Sequence, residues 1–400
     1  MMKKIKTIII FLDAVRKSSI KKDVTPFMYN LVQNETYLDL ESQLGYSSGI
    51  HPSIWKGVHQ EKHGYFLVYS YDPENSHFKW MNYLKIIPAG PRKFFLASLK
   101  APYYWSKNKN IFPDWYKRKI LPVPASIDPI LARYFKKEKT IYEMDFFNII
   151  KENGLTFSLQ PEHKHAIYGN AVPISQWCIT ENTLDFFFTY ETDPIGHYYG
   201  PNSKELDQKL SIIDVKIKEL YGIANEKYDK VNLFLFSDHG MVEVKNNINV
   251  QKELETMNLI KGVDYIPFYD STMVRFWIDD LGVRDKIINK LNSVKHLTYL
   301  DENLKNKYHI NFKSRKWGDL FFLADPGYRI FPDNFAPVKF NTKGMHGYFP
   351  EFIDSKGIFI TNCLKTNKKT IRVIDIMPTM LKVLNLEKKI PEDVDGKIID

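Results

Sequence analysis

Residues 234–240 read Phe-Leu-Phe-Ser-Asp-His-Gly, an apolar run that stops on a carboxylate and an imidazole, Asp238 and His239. A hard oxygen beside a ring nitrogen is a ligand pair suited to zinc or another divalent cation. Alone, the triplet also makes an ordinary turn. Three more segments offer the same donors: Asp13 ends the apolar run 8–12, Asp193 and His197 follow the run 184–190, and His346 lies in Gly-Met-His-Gly. Three carboxylates and three imidazoles suffice for two ions, each with three protein ligands and room for substrate, as in open catalytic sites. Ser47 and Ser48 stand among small residues ahead of a helix-like run, where free N–H groups and the helix dipole favour a phosphate. A serine N-cap is the structural alternative. Two ions about 4 Å apart hold the attacking and leaving oxygens of an in-line phosphoryl displacement and acidify a hydroxyl, which gives Ser47 a role.

Such groups converge only if the strands carrying them end together. The runs 8–12, 184–190 and 233–236 are apolar without alternation, which predicts strands buried on both faces of a mostly parallel sheet covered by helices. In open α/β sheets the functional groups sit beyond the strands' carboxyl ends. A further strand is expected at 36–40, and helices at 25–32, 140–152, 203–224 and 374–381. Asp193 and His197, four apart, are placed on a loop. Strands around 270–278 and 318–327 suggest a smaller α+β lobe at 255–340. Residues 65–139 break the rhythm with recurring prolines and aromatics, and read as an inserted cap.

Composition, at 44% hydrophobic and 26% charged, fits a globular protein. The N-terminal apolar run is too short for a signal peptide and ends in Asp13, so a first strand and a cytoplasmic location are expected. Cys178 and Cys363 alone cannot build a disulfide framework or a thiolate metal site, which also fits a reducing compartment. Of the net charge of +9, residues 79–139 carry more than all, with 14 Lys and Arg against three acids. The rest holds 42 basic and 44 acidic residues. That segment suits an anionic partner, with peripheral contact at the inner membrane face as one form.

The ordered set Asp13, Ser47 with His63-Gly64 after it, Asp193-x-x-x-His197, Ser237-Asp238-His239-Gly240 and Gly344-x-His346-Gly347 resembles the alkaline phosphatase superfamily, and within it the type I phosphodiesterase/nucleotide pyrophosphatase branch. The resemblance implies an alkaline-phosphatase-like α/β fold and two metal ions, zinc with manganese as the alternative. One would be held by Asp193, His197 and His346, the other by Asp13, Asp238 and His239. Ser47, 17 residues before Gly64, would be the nucleophile. The branch usually has threonine there, and serine carries the same hydroxyl chemistry. Val68 stands where those enzymes place an asparagine on a phosphate oxygen, and Ser47-Ser48-Gly49-Ile50 replaces their nucleotide-slot pattern. A sulfatase is excluded, because Ser47 lacks the Cys/Ser-x-Pro-x-Arg context.

Ser48 and His51 are expected to contact substrate, His63 to be a packing or turn residue, and Asp375 to cap a helix. His163 and His165 are weighed as substrate contacts against ordinary loop histidines. The function expected is a two-metal phosphodiesterase or pyrophosphatase with a phosphoserine intermediate, acting on a small phosphate ester or lipid-linked phosphate. The alternatives are a phosphomutase or phosphotransferase on the same scaffold, or a non-enzymatic binder of nucleic acid or anionic membrane.

Overall fold

The computed structural model describes residues 4–106, 113–121, 123, 127–138, 145–162, 170–335 and 341–400. His163, His165 and the expected helix start at Thr140 lie outside them.

Seven strands form the central sheet, in the order Thr370–Arg372, Thr36–Glu41, Gly357–Thr361, Lys230–Phe236, Ile5–Leu12, Leu184–Thr189 and Phe157–Pro161. All run parallel except Gly357–Thr361, which is antiparallel to both neighbours. Successive side chains of a strand point to opposite faces. Ile9 and Phe11 therefore pack with Ile54 and Trp55 of the helix Ser47–Lys56 and Met377 of the helix Ile376–Val383. Ile8, Ile10 and Leu12 pack on the other face, with Leu210, Ile213 and Ile217 of the helix Lys204–Lys227. Burial on both faces is why these strands read as unbroken apolar runs. Lys6 and Asp185, fully buried, pair at 2.6 Å across the neighbouring strands Ile5–Leu12 and Leu184–Thr189.

A second, antiparallel sheet runs Ile266–Asp270, Met273–Trp277, Leu320–Ala324, Leu297–Tyr299. The run expected as one strand at 270–278 is the second half of a hairpin that turns at Ser271 and Thr272. Asp270 is drawn into the hairpin by Arg275, whose Nε donates to its carboxylate at 2.7 Å. Strands Tyr69–Tyr71 and Phe135–Lys137 pair antiparallel and close the base of the inserted segment. Phe78, Met81, Leu96 and Phe135 pack there against Phe268 and Trp277 of the lobe.

Candidate active site

The candidate carboxylates and imidazoles of the metal set follow strand ends, directly or on the element that comes next. Asp13 follows Ile5–Leu12, and Asp238 and His239 follow Lys230–Phe236. Asp193 and His197 lie on the helix Thr192–Tyr199, not on a loop. Pro194 is tolerated in a first turn, and a spacing of four brings both side chains to one helix face. His346 follows the short strand Gly344–Met345, which pairs with Val242–Glu243. Ser47 is the first residue of its helix, after Tyr46 at the N-cap.

Tertiary folding brings these side chains into one cluster. Asp193 Oδ1 lies 3.1 Å from Nε2 of His197 and 3.4 Å from Nε2 of His346. The rings of His239 and His346 stack at 3.9 Å. His239 Nε2 is 3.3 Å from Asp238 Oδ2, 3.6 Å from Asp13 Oδ1 and 3.0 Å from Ser47 Oγ. His239 and His197 donate from Nδ1 to the carbonyls of Gly240 and Gly344, at 2.9 and 2.8 Å, which turns each Nε2 toward the carboxylates. Such outer bonds fix the tautomer and ring direction of a metal-ligating histidine. Asp238 Oδ1 accepts from the backbone N–H groups of Ala14 and His239.

By ligand-atom proximity the donors fall into two triads, Asp193 with His239 and His346, and Asp13 with His51 and Asp238. The partition implied by resemblance put His197 in the first and His239 in the second. His239 stands between the two, within reach of both groups of carboxylates. His51, expected to touch substrate, is buried beneath the site. Its Nε2 lies 3.0 Å from Asp238 Oδ2 and its ring meets Phe11 edge-on at 4.9 Å. The tertiary fold alone reveals that contact.

The electrostatics show a shortage of positive charge. Burial, then repulsion from Asp238 and Asp193, pushes the Asp13 carboxyl well above its usual range. Burial also works against ionising Asp193 and Asp238, but facing histidines outweigh it and hold both below the ordinary carboxylate range, His197 foremost for Asp193 and His239 for Asp238. Burial and the neighbouring His239 lower the pKa of His346. Asp13 Oδ1 and His346 Nδ1 are buried with no hydrogen-bond partner among the described residues. Buried orphan donors and acceptors are rare unless a ligand completes them. Nitrogen and oxygen donors of this kind fit divalent zinc or manganese.

The cluster opens into a cleft of about 500 Å3 lined by Ser47, Ser48, Val68, His197, Phe335 and His346 among others. Ser48 Oγ donates to the carbonyl of Phe66 at 3.3 Å. Val68, already read from the sequence as a departure from the asparagine of the family it resembles, makes an apolar wall. Ser271, also in the wall, donates to Asp333 at 2.9 Å, and Asp333 is itself paired with Arg329. Tyr46 OH accepts from the backbone N–H of Thr272 at 3.0 Å, which fastens the second sheet to the start of the Ser47 helix.

The model of the type I phosphodiesterase/nucleotide pyrophosphatase family matches residues 7–349. Human ectonucleotide pyrophosphatase/phosphodiesterase family member 5 is 24% identical over 53% of this chain and 45% of its own length. A bis(5'-adenosyl)-triphosphatase of Pongo abelii is 22% identical over 84% of this chain and 68% of its own length. The chain spans about half of the first of these relatives and about two thirds of the second. The solved structure of human ectonucleotide pyrophosphatase/phosphodiesterase 5 superposes with a TM-score of 0.64, at 15% identity, over 99% of this chain and 96% of that one. An inactive murine form of the same enzyme, in complex with AMP, gives 0.63 at 17% identity over 95% of each chain. These likenesses establish the shared fold.

Proposed function

The chain belongs to the type I phosphodiesterase/nucleotide pyrophosphatase family, and from that membership and the cleft's geometry we propose that it hydrolyses a phosphate diester or nucleotide-type substrate through a phosphorylated Ser47. The observation that carries this reading is Ser47 Oγ, at a helix start, 3.0 Å from His239 in the cluster of carboxylates and imidazoles.

Asp13, Asp238, His239, Asp193, His197 and His346 would hold two divalent ions, with His51 bracing Asp238. Bound there, the ions would supply Lewis acidity toward the phosphoryl oxygens and lower the pKa of the hydroxyl nucleophile. The free backbone N–H groups at the start of the Ser47 helix would orient the substrate's non-bridging oxygens. Ser47 Oγ would give its proton to solvent water and attack phosphorus, forming an O–P bond as the bond to the leaving oxygen breaks; that oxygen takes up a proton from solvent water in turn. A water molecule then takes the phosphoryl group, releasing a monoester and restoring the serine hydroxyl. Two inversions give net retention at phosphorus. Val68, Phe335, Tyr198 and Met345 give the leaving group an apolar berth.

The test is hydrolysis of bis-aryl phosphate, aryl phosphate and aryl phosphonate ester reporters by zinc- and manganese-loaded protein. The proposal expects preference for the diester. Preference for the monoester, or transfer of phosphate to an added alcohol in place of water, would move the assignment to a phosphatase or phosphotransferase.

A further inference from the structure

We propose that three helical segments of the inserted region, Lys79–Ile86, Ala89–Trp105 and Asp114–Lys119, form a docking face for an anionic lipid bilayer surface. The outward side chains are large and apolar: Tyr83 is 80% exposed, Ile86 83%, Phe94 82%, Trp105 83% and Trp115 58%. Single exposed hydrophobics are ordinary, but a concentration within 33 residues marks an interaction surface.

Their spacing gives them common faces. Tyr83 and Ile86 are three apart in a 3-10 helix and so share one face. Phe94 and Trp105 are eleven apart, close to three α-helical turns, and mark the ends of a stripe roughly 16 Å long. Met81 and Leu96 point the other way and are buried in the cluster shared with the lobe. Trp80 Nε1 donates to the Lys119 carbonyl at 3.2 Å, and the Tyr116 hydroxyl bonds the Leu99 carbonyl, so the three segments are joined.

Charge selects the partner. The three segments contain eight Lys and Arg and one acid, Asp114. Lys79, Lys85 and Lys119 form no ion pair among the described residues. Aromatic and aliphatic side chains amid lysine and arginine are the composition that settles at the headgroup boundary of anionic membranes. Nucleic acid would use the charge and the rings but leaves Ile86 without a role. No helix among the described residues is long and apolar enough to cross a membrane, so the contact is at the surface. The cluster beneath this face also packs Val68 and Phe335, which line the cleft, so docking would hold the cleft beside the bilayer.

Co-sedimentation of the full chain with phosphatidylcholine vesicles, with and without phosphatidylglycerol, tests the proposal without relying on catalysis. Binding is expected only to the phosphatidylglycerol vesicles. It should weaken about tenfold or more in Phe94→Ser with Trp105→Ser, and comparably in the Lys79, Lys85 and Lys119 to Gln triple variant. Thermal unfolding reports whether each variant is folded, and the exposed lysine set keeps the test alive if the aromatic pair is not. Absence of binding to anionic vesicles would overturn the proposal. So would binding that both variants retain, or equally tight binding to DNA that needs the lysines but not the aromatics.

Discussion

Ser47 Oγ and His239 Nε2 stand 3.0 Å apart across 192 positions of sequence. With Nδ1–H of His239 committed to the Gly240 carbonyl, Nε2 is the free nitrogen that Ser47 faces. Replacing Ser47 with Ala should lower diester turnover by about a thousandfold or more while leaving metal content unchanged, since the oxygen removed is the proposed nucleophile. Turnover measured beside metal analysis decides it, and a variant with near-native kcat would reject Ser47 as nucleophile.

Chelation should remove both activity and stability. Asp13, Asp193 and Asp238 crowd one buried space, and ions that bind only the folded chain add about 2.7 kcal/mol at a hundred times their Kd. Unfolding curves with and without added zinc or manganese are the check; identical midpoints would argue against ions at this cluster.

His51→Phe keeps an aromatic ring against Phe11 but deletes the 3.0 Å bond to Asp238. Loss of such a supporting contact typically weakens metal binding by about 10–100-fold. Competition against a chromogenic chelator measures it, and unaltered affinity would show that Asp238 needs no support from this side.

Gly240 follows His239, and a methyl there would meet the carbonyl oxygens of Asp354 at 2.2 Å and Lys356 at 2.6 Å. Both obstacles are backbone, so the chain must shift. Gly240→Ala should cost about 1–3 kcal/mol and carry His239 out of place. A variant with native stability and native metal content would contradict this.

Acid should weaken the fold through His63. Burial, reinforced by Lys56, lowers its pKa from 6.5 to about 3. Its Nδ1 accepts from the Tyr65 backbone at 3.1 Å, so a proton there would set donor against donor. The unfolded chain therefore binds the proton first. The contribution is complete above pH 6.5 and is lost as pH falls toward 3. The decline in Tm over that window should be shallower in His63→Gln; an unchanged slope would assign acid sensitivity elsewhere.

The parallel core and the helices over it were legible because burial on both faces leaves unbroken apolar runs, and the positions after those runs exposed Asp13, Asp238 and His239. The strands Phe157–Pro161 and Thr370–Arg372 lie at the sheet edges and carry no such signal. Gly357–Thr361 is buried on both faces but offers only the three-residue run Ile358–Ile360, and its antiparallel place is set by long-range pairing. His51 looked like a substrate contact because it follows Ser47 closely. A helix turn instead points it down onto Asp238, 187 positions away.

The sequence alone determined which groups are available for chemistry and that they come at the ends of buried strands, since residue type and local periodicity are written along the chain. Only the tertiary structure decided which imidazole faces which carboxylate, that His239 stands between two triads, and that Val68 walls the cleft. Those relationships depend on the order and register of strands, set by packing between segments far apart in sequence.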